Sequence, residues 1–258
     1  MEESMIFNFL KRSIGKISFN CDPRFHHAFN FFKPDNAYNF APNWFKNLKP
    51  SYLVDGNYGL QIPFGTAKSC PALKSYFTSG FVIPLWTDLL IKVNPDESWY
   101  WHSADDITKI NGHTNEQLGG LIKSNKCINI KIMSPWNIKT SDSKEFLFTG
   151  AGSFNNDIFS LPDIMSGIMN FNFRHETHIN MLLPVQDQSY TIQLNAGMPI
   201  VHLINLEKGK YKKDYKLYKS EIEFKQEHKC PIQFSYLKSY KILKNKYSKG
   251  DSNESKVN

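Results

Sequence analysis

A chain of 258 residues with 41% apolar side chains is long enough to bury a sizeable core, as one large domain or a domain with attachments. No apolar run reaches the roughly 18 residues of a membrane span, and the cysteines Cys21, Cys70, Cys127 and Cys230 are too scattered for a disulfide-dense scaffold or a zinc ribbon. The net charge of +7 is uneven: residues 207–250 hold 13 lysines against five acids, so the basicity belongs to the tail.

The first residues, MEESMIFNFLKR, are acidic first and basic later, the reverse of a secretory signal. The chain is therefore expected to stay in the cytoplasm with its thiols free. Residues 5–14 read as a short helix. Residues 21–45 mix Pro, Asn and aromatic rings without a clear period, and rings need a surface to lie on. The segment 1–54 is expected to wrap a core. Asp55-Gly56-Asn57-Tyr58-Gly59 is a turn signal, with a strand expected at 60–64. Residues 69–80 predict a helix: Ser69 caps it, Pro71 fits the first turn, Leu73, Tyr76 and Phe77 share a face, and Gly80 ends it. Residues 81–93 read as a strand broken near Pro84. Residues 98–102 are dense in aromatics, and 105–122 read as helical or irregular, with Thr114 a cap.

The region 128–206 reads as consecutive strands. Ile128, Ile130 and Ile132 alternate with Asn129 and Lys131, the period of a half-buried strand. Phe146 and Phe148 alternate next, then Met169, Phe171 and Phe173, then Tyr190, Ile192 and Leu194. Asn170 and Asn172 are placed on the outer side of the third of these strands. Residues 198–206 are almost continuously apolar, as in a strand buried on both faces. Beyond 206 the composition turns to Lys and Tyr, and 211–225 shows no clean period. Tyr236, Leu237, Tyr240, Leu243 and Tyr247 recur at helical spacing, so 232–247 predicts a basic amphipathic helix. Residues 248–258 lack apolar content and read as disordered. The expected organisation is a wrapping segment 1–54, a β-rich core 55–206, a basic extension 207–247 and a tail 248–258.

No catalytic motif stands intact. The run Arg174-His175-Glu176-Thr177-His178 lacks the spacing that puts two imidazoles on one face, since residues three apart on a strand point to opposite sides. It reads as a turn or polar strand edge, and no metal or cofactor is expected. No Gly-x-Ser-x-Gly elbow is present, and Gly150-Ala151-Gly152-Ser153 lacks the ending of a phosphate loop, so it reads as a surface turn. Trp86, Trp99, Trp101 and Trp136 suit either a ligand pocket or a core. The Lys-rich tail offers phosphate contacts to nucleic acid, but without interleaved Arg or a recognised module that partner is not favoured.

Residues 167–183, GIMNFNFRHETHINMLL, followed by NAGMPIVHLI at 195–204, resemble the core of the dUTPase and dCTP deaminase group. Gly167, Arg174, Glu176, Gly197, Ile200, Leu203 and Ile204 fit its pattern, and SPWNIKT at 134–140 falls where the group carries a phosphate motif. The resemblance implies a β-clip fold, and its chemistry does not carry over. Asn170 stands where the group has the Asp that activates water, and an amide cannot take that proton. Phe173 replaces a Tyr, His175 a Gly, and Trp136 and Asn137 an Arg-Ser pair. The wider pattern, SCPALKSYFTSGFVIPLWTD at 69–88, SPWNIKT and the glycine turn before MPIVHLI, resembles uncharacterised proteins of bacteriophages.

The expected fold class is mainly β, a β-clip-like distorted barrel or sandwich with short helices and a basic C-terminal helix. The expected function is a non-enzymatic binding or structural protein, phage-encoded and acting in the host cytoplasm or the virion, that holds a protein partner or small ligand. Its candidate ligand-binding residues are Trp86, Asp88, Trp136, Asn137, Asn170 and Arg174. The alternative is a nucleotide-processing enzyme with a rearranged site around Asn170, Arg174 and Trp136.

Overall fold

A computed structural model describes residues 14–157, 159–172, 176–207 and 209–227. Ile17, Phe19 and Cys21 alternate with polar residues and have no exposed surface, so Gly15–Cys21 forms strand β1. The aromatic stretch after it breaks into helix α1 (His26–Phe31), the two-residue strand β2 (Asp35–Asn36) and helices α2 (Ala37–Phe40) and α3 (Asn43–Asn47). Strands β3 (Ser51–Asp55) and β4 (Gln61–Gly65) make a hairpin around the expected turn.

Helix α4 (Pro71–Thr78) has Pro71 in its first turn as the sequence predicts, but Cys70 and not Ser69 stands at its cap, the Ser69 hydroxyl donating instead to the Thr66 carbonyl; Gly80 follows the helix with φ +74°. Strands β5 (Phe81–Pro84) and β6 (Leu89–Val93) are the two halves of the stretch broken near Pro84. The aromatic cluster is strand β7 (Trp99–Ser103). Residues 105–122 hold strand β8 (Ile110–Gly112) and the start of helix α5 (Gly120–Asn125), so this region is less helical than expected.

Strands β9 (Cys127–Ile132), β10 (Trp136–Thr140), β11 (Glu145–Gly150), β12 (Asp163–Ile164), β13 (Gly167–Asn170), β14 (Ile179–Pro184), β15 (Tyr190–Leu194) and β16 (Pro199–Asn205) then follow. Strand β17 (Tyr211–Leu217) and helix α6 (Glu221–Glu227) complete the described chain. The expected helix at 232–247, the tail 248–258 and all of the expected first helix but Ile14 lie outside the described residues.

The protein is mainly β. The sheets run β10-β1-β17, β13-β11-β16-β5-β2, β12-β14-β9-β8 and β15-β6-β7, with the β3-β4 hairpin apart from them. Neighbours pair antiparallel except β1 and β17, which are parallel. One apolar core joins the four larger sheets, including Ile17 and Phe19 of β1, Ile91 of β6, Ile130 of β9, Ile138 of β10, Met181 of β14 and Leu203 of β16. The described strands pack as sheets and do not close into a barrel, which is the sandwich form of the two expected. A second cluster, with Phe45, Phe77, Val82 and Phe154, seats α3 and α4 beside β5.

Two core strands lie in segments expected to wrap or to leave the core. β1 is a central strand, and β17 in the basic stretch lies along it residue by residue from Gly15↔Tyr211 to Cys21↔Leu217. Tyr211, Lys213, Tyr215 and Leu217 take one side of β17. Tyr211 and Tyr215 lay their rings on Phe146 and Phe19, and the Lys213 ammonium pairs with Asp35. The strand 167–173 is also corrected: β13 ends at Asn170, whose side chain is buried and not outward, and Phe171 enters the core from the turn that follows.

Candidate functional site

The sequence-nominated residues fall in separate places. Trp86 and Asp88 sit between β5 and β6 beside a cavity of about 260 Å³, together with His27 and Asp105. Both are engaged structurally. The Trp86 indole N–H donates to Thr108 Oγ1 at 2.9 Å, and Asp88 Oδ1 accepts the Ala196 N–H at 2.6 Å. Asp105 accepts the Ile107 and Thr108 N–H groups and so closes its own loop.

Trp136 and Asn137 are buried at the start of β10. The Trp136 ring stacks on Phe29 with centroids 6.5 Å apart, and its carbonyl accepts the Thr177 hydroxyl. Its indole N–H has no partner among the described residues. Asn137 bridges to Glu176 through the backbone. Asn170 donates from Nδ2 to the Ser143 carbonyl at 2.6 Å and accepts the Asn172 N–H at 3.0 Å, so its amide shapes the turn after β13. Arg174, with Phe173 and His175, lies outside the described residues.

The groove that gathers polar chemistry is elsewhere. Its volume is about 870 Å³, at the upper end of small-ligand sites. β9 and β14 build it by alternation. Ile128, Ile130 and Ile132 on one strand, and Ile179, Met181 and Leu183 on the other, face the core. The intervening Asn129, Lys131 and Asn180 face the groove. Asn180 stands directly across from Lys131 in the pairing.

His113 follows β8 and is fixed by its backbone N–H to the Asn129 carbonyl at 2.9 Å. Its ring Nε2 lies 3.1 Å from Asn180 Oδ1; an amide oxygen only accepts, so Nε2 is the donor. His178 and Glu176 enter from the chain before β14, with Nε2 of the first 3.5 Å from Oε2 of the second. Phe148 of β11 and Met169 of β13 supply an apolar side, and Gly167 leaves it open: a Cβ there would touch nothing.

The groove thus offers an ammonium, a carboxylate, two imidazoles and three amides, those of Gln117, Asn129 and Asn180. Ser166 also lines it, but its hydroxyl meets that of Thr149 at 2.7 Å, not an imidazole. Among the described residues no group of three or more His, Cys, Asp or Glu is placed to hold a metal ion.

Asn129 is the most buried of the groove's polar residues. It is 5% exposed, and its amide oxygen accepts no hydrogen bond among the described residues. The sequence marks Asn129 and Lys131 as the polar half of an alternating strand, and a polar half is ordinarily solvated. That β11 and β13 enclose this face is a tertiary fact with no local signature. The same alternation in Ile179, Asn180 and Met181 was the signal that a second strand shares the face.

No protein-family model, curated protein or solved structure matches this chain.

Proposed function

We propose that this protein is a binding protein and not an enzyme, and that the groove over β9 and β14 holds a small polar ligand. The observation that carries this reading is the unmet amide oxygen of Asn129. A buried acceptor without a partner costs about 1–3 kcal/mol, and such groups are rare enough to call for a cause. A ligand that presents a hydroxyl or amide N–H to Asn129 removes the cost. Lys131 beside it favours an anionic group on the same ligand, and Phe148 and Met169 suit an apolar portion.

Asn129, Lys131 and Asn180 stand on regular strands, which suits binding by a preformed site. The Ser166–Thr149 contact gives no activated nucleophile. The resemblance of 69–88, 134–140 and the turn before Met198 to bacteriophage proteins supports a virus-encoded origin.

Native mass spectrometry of the protein from its own host, beside an Asn129→Leu variant, tests the reading. The wild type is expected to carry a bound small molecule. The variant removes the unmet acceptor at similar volume, so it is expected to arrive empty and to unfold about 1 kcal/mol harder. A variant that keeps the ligand, or that is less stable by a comparable amount, would sink the assignment of Asn129.

A further inference from the structure

We propose that the β3-β4 hairpin is the self-association arm of this protein, and that its β3 edge pairs antiparallel with the β3 edge of a second copy. Every residue of β3 and β4 is exposed, and the hairpin joins no other strand among the described residues. A two-stranded hairpin alone in water is marginal. This one is held at its base, where Thr66 N–H donates to the Pro50 carbonyl at 3.0 Å and the Lys68 ammonium meets the Phe45 and Lys46 carbonyls.

Its composition is that of a covered surface. Residues 51–65 contain one charged side chain, Asp55, in a chain that is 21% charged. Tyr52, Val54, Ile62 and Phe64 make one apolar face, with Tyr58 and Leu60 exposed at the tip. Exposed edges are ordinarily guarded by lysines, charges or proline. Pairing through the β3 edge about Leu53 sets Tyr52 of one copy beside Val54 of the other, so the apolar rows become continuous across one four-stranded sheet.

The pairing pattern selects the edge. The Gly56 N–H donates to the Leu60 carbonyl, and the Thr66 N–H to the Pro50 carbonyl. In an antiparallel ladder the bonded pairs alternate. Tyr52↔Phe64 and Val54↔Ile62 are therefore bonded pairs, and Ser51, Leu53 and Asp55 turn their N–H and C=O groups outward. On β4 the outward set is Gln61, Pro63 and Gly65, and Pro63 has no N–H, so that edge is blocked. The β3 edge is complete.

A second copy is the partner that completes it. A two-fold axis at Leu53 sets Leu53 against its own copy and Asp55 against Ser51, so the single charge meets a hydroxyl and not another carboxylate. All outward donors and acceptors are then matched, as an isologous contact requires.

Sedimentation velocity of the full chain at ~100 μM, above the micromolar Kd reached by the weaker interfaces of standard size, tests this. The wild type is expected to sediment as a dimer. Leu53→Pro, which removes the outward N–H at the centre of the edge and no bond within the hairpin, is expected to give a monomer with unchanged melting temperature. Leu53→Cys is expected to form an inter-chain disulfide under mild oxidation, beside a wild-type control that does not. A wild-type monomer, a dimer that survives Leu53→Pro, or a dimer in which Leu53→Cys fails to cross-link would each overturn the proposal. So would a monomer whose hairpin becomes protease-sensitive only when residues 228–258 are removed, because the chain would then cover its own arm.

Discussion

His202 on β16 has no exposed surface, and Tyr76 and Phe154 meet its ring edge-to-face at 4.9 and 4.8 Å. Its Nε2 donates to the Ser79 carbonyl at 2.7 Å, and burial pushes its pKa below the ordinary histidine value. The unfolded chain therefore takes up this proton before the folded one does. The contribution of His202 is complete above about pH 6.5 and is lost as the pH falls below that, at no more than about 1.4 kcal/mol per pH unit. His202→Gln keeps the donor to Ser79 and removes the titration. Melting temperature against pH is expected to fall less steeply for the variant between about pH 6.5 and 5. Equal slopes would show that other groups set the acid limit.

Asn170 is the residue on which the alternative, nucleotide-processing reading turns. Its Nδ2 donates to the buried edge at Ser143. Asn170→Asp replaces that donor with a carboxylate facing a carbonyl, which is expected to cost about 2–3 kcal/mol. Neither the wild type nor the variant is expected to release pyrophosphate from dUTP or dCTP with Mg²⁺, since a base alone is worth only about 10²–10⁴ in rate. Turnover by the wild type near ~1 s⁻¹ would restore the enzyme reading.

At the scale of elements, the turn from α4 to β5 has one solution. Gly80 takes φ +74°, and a Cβ there would run into the Leu203 carbonyl oxygen of the neighbouring strand. Its own carbonyl accepts the Ala37 N–H, tying α2 to the same point. Gly80→Ala combines left-handed strain with a backbone clash and is expected to cost at least about 3 kcal/mol, read as a lowered denaturation midpoint. Gly167→Ala, with open space around it, is the control expected to leave the midpoint unchanged.

This helix and turn were legible because proline, a periodic face and glycine act locally. So were β9, β11, β15 and β16, whose alternating or unbroken apolar patterns are local too. β1 was overlooked although Ile17, Phe19 and Cys21 alternate, because aromatic and Asn-rich neighbours surround a short strand. β17 was hidden by its lysines. An edge strand may keep charges on its outer side, so Tyr211, Tyr215 and Leu217 carry the only inward signal. The groove was half legible: the polar faces of β9 and β14 are in the pattern, while their enclosure depends on which strands become neighbours.

At the scale of the molecule, the core is closed by strands from opposite ends of the described chain. β1 has β10 on one side and β17 on the other, in parallel register over seven residue pairs. A parallel pair cannot form from a local hairpin, and this contact joins segments nearly 200 residues apart, at the loop-closure cost that such a separation carries. Its removal takes away the Tyr215 ring from Phe19 and the Tyr211 ring from Phe146. The Tyr211 hydroxyl no longer donates to Asp142 at 2.8 Å, nor the Tyr215 hydroxyl to the Pro34 carbonyl at 2.7 Å. Buried aromatic contacts are worth about 0.5–1.5 kcal/mol each beyond area, and each hydrogen bond about 0.5–1.5. With one ladder of backbone bonds added, the sum approaches the 5–15 kcal/mol that holds a typical domain. A chain ending at Leu206 is therefore expected to lose cooperative unfolding and bind a hydrophobic dye. Tyr215→Phe, which gives up only the bond to Pro34, is expected to lose about 1 kcal/mol and stay folded. A cooperative, dye-negative product from the truncated chain would show that 207–258 is an attachment to a self-sufficient core, and that the parallel pair contributes little.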